Sequence, residues 1–143
     1  MPNTFSPEVA GLDTSPVGKS NGGLQGGRVR VFRATIPYAG QAAADTITLA
    51  KVPPGHAFMY GVIVASATAG ATATIAIGAA GATGKYRTAA TFTAANTPTL
   101  FGNAAAIAAA PSTAEETVIA TIAEAALPNS ANYAVVELYF AAP

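Results

Sequence analysis

From residue 28 onward, apolar and polar residues alternate in short runs broken by glycine and proline, the period of strands rather than helices. The first run covers residues 28–38, with Val29 and Val31 on one parity and Phe32, Ala34 and Ile36 on the other. That shift implies burial on both sides or a bulge. A second strand is expected over 46–52, with Ile47 and Leu49 inward and Thr46 and Thr48 outward, ended by Pro53-Pro54-Gly55. Residues 57–66 are apolar on both parities, as in a central strand. A further strand is expected over 72–77, then a loop through Gly78, Gly81 and Gly84, then a strand over 85–93 anchored by Tyr86 and Phe92. A short strand at 99–101 is broken by Gly102-Asn103, and a last one alternates through 132–141.

Residues 104–127 carry two competing signals. Ser112 to Glu116 resembles a capping box, with Val118, Ile119, Ile122 and Ala126 as a helical stripe. The run from Thr117 to Ile122 is mostly β-branched, which favours a strand. Pro128-Asn129-Ser130 would then turn it back into the last strand as a hairpin. About eight strands with glycine and proline turns predict an all-β fold, a jelly-roll-like β-sandwich over residues 28–143.

Residues 1–27 have no such period and are rich in Pro, Gly, Ser and Asn, so they read as an extended irregular arm. Phe5, Val9 and Leu12 are spaced like anchors, and Pro2, Pro7 and Pro16 lower the cost of ordering the arm. Two sites compete for it: its own domain and, preferred, a neighbouring subunit.

Composition sharpens this picture. Charged residues are 10% of the chain, against about 25% in ordinary soluble domains. Seven basic residues balance seven acidic ones, so no overall field steers nucleic acid or an anionic membrane. A neutral, charge-poor chain is prone to self-association. The absence of cysteine removes disulfides and thiolate metal sites and fits assembly in a reducing cytoplasm. Met1-Pro2-Asn3-Thr4 does not read as a secretory leader, and the uncharged stretch 57–84 alternates like strand rather than a membrane helix.

Candidate chemistry is sparse. Gly18-Lys19-Ser20 and Gly84-Lys85 lack the upstream glycine of a phosphate loop, Asp13 and Ala79 standing in its place, so both read as turn glycines beside solvated lysines. His56 is the single histidine and sits at a turn, with no nucleophile elbow to serve it and no partners for a zinc site. Glu115 and Glu116 are adjacent and point apart, as a solvated acidic edge. No catalytic, cofactor or metal residue is assigned, and no enzymatic activity is expected. Arg28, Arg30 and Arg33 are the one local concentration of charge, with Arg28 and Arg30 on one face and Arg33 on the other. They fit edge protection, pairing with acidic groups of a partner shell, or, least well, nucleic acid.

The run GKYRTAATFTAANTPTLFG, followed by TAEE, ATIAEAALP and NYAVVELYF, resembles small virion proteins encoded among the head genes of tailed bacteriophages, most of all capsid decoration (cement) proteins. The resemblance covers about three-quarters of the chain from Arg28 on and is one of texture and phrases. It implies a β-rich subunit, commonly trimeric, set over capsomer junctions on the outer capsid surface, with copies of itself and the major capsid protein as partners. A tail, neck or head-completion subunit is the second reading. A carbohydrate-binding sandwich fits less well, given no tryptophan and five tyrosines.

Overall fold

The computed structural model describes residues 26–92 and 94–143. Along them run β1 (Arg28–Ala39), β2 (Thr46–Val52), β3 (Ala57–Ala65), β4 (Thr74–Ala79), β5 (Ala82–Ala90), β6 (Thr99–Phe101), the one-turn helix α1 (Ala104–Ile107), β7 (Glu116–Ala123) and β8 (Asn129–Ala142). The strands form two four-stranded antiparallel sheets, ordered β1-β8-β3-β6 and β2-β7-β4-β5. Strand 1 pairs with 8, 2 with 7, 3 with 6 and 4 with 5, so the chain is one long hairpin, folded at β4–β5 and rolled up. That order is a jelly roll, as the strand count and spacing imply.

The inward faces of the two sheets meet in one core. Ile36, Val52, Ile63, Ile77, Val118 and Phe140 are among its fully buried side chains. Phe140 is its aromatic hub, with ring centroids 5.4 Å from Phe58, 5.7 Å from Phe32 and 6.0 Å from Tyr86. It thereby ties β8 to β1 and β3 in its own sheet and to β5 in the other. Tyr38 is buried on the same side of β1 as Ile36, and its hydroxyl donates to the Ala67 carbonyl.

Several expectations need correcting. β1 has no bulge at its parity shift: its register with β8 is unbroken from Arg28 to Pro37. Nor is it buried on both sides, because Val29 and Val31 face outward and are exposed. The expected glycine loop at 78–84 is instead a tight hairpin. Gly78 and Gly84 lie within β4 and β5, and Gly81 alone of the three takes a positive φ. A Cβ on Gly78 would stand 2.1 Å from the Ala82 carbonyl oxygen, so glycine is what lets the hairpin close. Residues 117–122 are strand, as favoured, but β7 and β8 form no hairpin, since they lie in different sheets. Residues 124–128 cross between the layers, with Glu124 at φ 65°.

The sole helix among the described residues is α1, a single turn that the reading of 104–127 did not foresee as a separate element. Asn103 stands at its N-cap without a side-chain cap bond. Its amide instead donates to the carbonyls of Gly84 and Lys85, pinning the turn to β5.

Candidate interaction surface

The two outer faces of the sandwich differ in chemistry. On the β2-β7-β4-β5 sheet, paired rungs run Thr46–Thr121–Ala76 and Thr48–Ile119–Gly78, mostly small side chains and hydroxyls. The outer face of the β1-β8-β3-β6 sheet carries large apolar groups. One rung is Val31–Tyr139–Tyr60, the next Arg33–Glu137–Val62–Leu100, and the next Thr35–Val135–Val64. Of the six large hydrophobic residues exposed among the described residues, five lie on this face: Val29, Val31, Tyr60, Leu100 and Tyr133. Leu100 is 71% exposed and Val29 56%, so these side chains lie outside the core of the described residues.

Local sequence explains the pattern. β3 is apolar on both parities, and only its inward parity is needed for the core. β3 is an inner strand, flanked by β8 and β6, as expected, but its second apolar parity (Tyr60, Val62, Val64) faces outward and is only partly covered. Tyr60 and Tyr139 stack with centroids 4.5 Å apart and planes 15° off parallel, giving the face a rigid aromatic plate. The Tyr139 hydroxyl donates to Glu137 at 2.8 Å, and that hydrogen bond, ahead of desolvation, raises the tyrosine's pKa. Arg33 Nε lies 3.8 Å from the other Glu137 oxygen. Beside this pair, Val62, Val64, Tyr133 and Val135 line a shallow depression of about 360 Å³.

Among the described residues the β1 edge of this sheet is also unpaired. β1 is an outermost strand, so the backbone groups along one side of its twelve residues have no ladder partner among the described residues. Arg28, Arg30 and Arg33 are all exposed along it. Arg33 shares the outward parity with Val29 and Val31, whereas Arg28 and Arg30 share the inward parity with Phe32, beyond the point where that parity is covered. Phe5, Val9 and Leu12 lie outside the described residues, as does the arm up to residue 25.

A second polar group lies at one end of the sandwich. Glu116 accepts hydrogen bonds from Lys85 Nζ and from the Tyr86 hydroxyl, so it is not the solvated edge its neighbour Glu115 suggests, and Lys85 is not a free lysine at a turn. His56 is buried rather than displayed, its ring edge-on to Phe32 at 6.2 Å and to Phe140 at 6.5 Å. Its Nδ1 lies 3.3 Å from the Pro54 carbonyl, which can only accept, so Nδ1 carries the proton of that contact. Ser112, whose backbone N–H donates to the His56 carbonyl, makes no hydroxyl bond to the ring, so no activated serine is formed. The arrangement is a clamp that fastens β7 and the loop before it to β5 and the β2–β3 turn. Among the described residues no group of three or more His, Cys, Asp or Glu side chains converges to hold a metal ion.

The clamp has an alkaline limit. Burial first, and then the Glu116 carboxylate, push the Tyr86 hydroxyl far above its ordinary 10.0. A group whose folded pKa is raised stabilises the fold fully below the unfolded value and loses that contribution as pH rises beyond it. Stability should therefore hold through neutral pH and fall above about pH 10. Tyr86→Phe should lessen that fall in urea melts taken across pH 8–11; an unchanged alkaline slope would show that Tyr86 does not carry it.

Arg87 went unremarked in the sequence and is nearly as buried as His56. Its guanidinium donates to the Ile75 and Ala90 carbonyls and lies 5.2 Å from the Phe92 ring. Burial lowers its pKa, and the carbonyls and ring stand in for lost water. Its role is to join β5 to β4, not to meet a ligand.

The described residues form a jelly roll with one small-residue face, one apolar face carrying five exposed large side chains, and a β1 edge without a ladder partner among them. No protein-family model matches the chain, and no curated protein matches it. Solved structures do. A chain of the cyanophage Pam1 capsid asymmetric unit is similar at a TM-score of 0.65 and 18% identity, over 82% of this chain and 86% of that one. A chain in the capsid of Ralstonia phage GP4 is similar at 0.64 and 15%, over 96% of both. A chain in the acid-stable capsid structure of Helicobacter pylori bacteriophage KHP30 is similar at 0.60 and 12%, over 80% of this chain and 88% of that one. At these identities the likeness is one of fold.

Proposed function

We propose that this chain is a structural protein of a bacteriophage virion that decorates and stabilises the capsid by bridging neighbouring capsid subunits. The observation that carries the proposal is the outer face of the β1-β8-β3-β6 sheet, where five exposed large apolar side chains gather on a charge-poor jelly roll. The same fold in chains of three phage capsid structures supports the setting. The mechanism is mechanical. Copies associate, as trimers, through the apolar face, and the assembly sits on the outer surface across the major capsid protein. Interfaces of about 1,600 Å² repeated over many symmetric sites need no individually strong bond. Phe5, Val9 and Leu12 anchor the arm on a neighbour, and the arginines of β1 pair with acidic groups there.

Deleting residues 1–20 tests the arm. The truncated chain should keep its β-type circular dichroism and bind capsids of its own phage poorly or not at all. Full occupancy by the truncated chain, counted on purified particles, would remove the arm from the mechanism. Ring-shaped particles of six- or twelve-fold symmetry, in place of trimers, would move the subunit to the tail or neck.

A further inference from the structure

The open edge of β1 and the composition of the arm fit each other. The arm holds two acidic residues, Glu8 and Asp13, five positions apart; β1 holds Arg28 and Arg33, also five apart. Set antiparallel in the register that places Glu8 opposite Arg33, the arm puts Asp13 opposite Arg28 as well. The apolar residues then match without adjustment: Leu12 stands opposite Val29, Ala10 opposite Val31 and Val9 opposite Phe32. Directly opposed residues of an antiparallel pair share a face. Leu12, Ala10 and Glu8 thus extend the outward row Val29, Val31 and Arg33, while Val9 joins Phe32 on the inward side. Residues 8–15 lie between Pro7 and Pro16 with no proline among them, so each can offer a backbone N–H to the ladder.

The geometry points to strand exchange: residues 8–13 of one copy add to the open β1 edge of a neighbouring copy as a fifth strand of its sheet. Return onto the same chain in this register would have to close the fourteen-residue loop 14–27, an entropic cost that pairing between copies avoids. Within one chain the shortest hairpin turns at Gly26-Gly27 and lays Gly22 and Gly23 beside Val31 and Arg30, with no acid near the arginines and Lys19 beside Ala34, next to Arg33. Between chains no loop is closed, and side chains alone choose the register. The connector from Pro16 to Gly27 is twelve residues with five glycines, a reach of about 40 Å. The inference rests on the self-association proposed above and supplies its geometry.

Charge reversal in the full-length protein tests it. Asp13→Arg alone and Arg28→Glu alone should each weaken self-association about tenfold in sedimentation measurements, since each sets like charges face to face. An equimolar mixture of the two variants should recover much of it, because in a mixed trimer two of the three arm–edge contacts then pair opposite signs, against none in either variant alone. Recovery only when both substitutions share one chain overturns exchange in favour of pairing within the chain. No recovery in either form overturns the register. An oligomer that neither substitution weakens overturns the exchange but leaves self-assembly standing, whereas a monomeric wild type sinks the assembly reading itself.

Discussion

Phe140→Ala should cost about 3–5 kcal/mol of folding stability, a large share of the roughly 5–15 kcal/mol available to a domain of this kind. Phe140 is 2% exposed and meets Phe32, His56, Phe58 and Tyr86, so its removal leaves a void between the sheets that no single neighbour can fill. The loss should appear in urea melts as a lower midpoint with an unchanged slope. Tyr133→Ala serves as the control: it lies on the same strand but is 47% exposed, and should shift stability by no more than about 0.5 kcal/mol. Comparable losses at the two positions would contradict the central role given to Phe140.

The reverse pattern is expected on the outer face. Val31→Lys combined with Leu100→Lys should leave the urea midpoint almost unmoved, since both side chains already stand in solvent. Self-association should weaken about a hundredfold, the scale of removing two apolar contacts and burying charge in their place. The two sites lie at opposite margins of the sheet, on β1 and β6, so together they interrupt any partner that spans it. Sedimentation velocity over a concentration series measures the effect. Wild-type association by the double variant would mean that copies meet through some other surface.

Much of the fold was legible because a strand's alternation is written in its own residues. β2 and β6 fall where expected, and β1, β3 and β8 differ only at their ends. What failed was pairing between segments. Pro128-Asn129-Ser130 has the chemistry of a hairpin turn, yet β8 pairs with β1 and β3, because a roll matches strands from the two ends of the sequence. Gly78 and Gly84 were read as loop because the packing that requires Gly78, the Ala82 carbonyl beside it, is invisible in one dimension.

The apolar outer face was half legible. Apolar residues on both parities of β3 were taken as burial within the chain, whereas the outward parity is only partly covered among the described residues. Sequence records that a side chain avoids water, not whose surface covers it. Arg87 and Glu116 show the same limit for charge, since neither shows in sequence that its neighbours are Ile75, Ala90, Lys85 and Tyr86.

The β1–β8 pairing also sets a clock on the ribosome. About a hundred residues separate the two strands, so at usual elongation rates β1 waits roughly 5–20 s before its partner is made. The β4–β5 hairpin can close early, but the sheet that carries the apolar outer face cannot form until translation reaches β8. The apolar outer face of that sheet is therefore among the last parts of the fold to be completed.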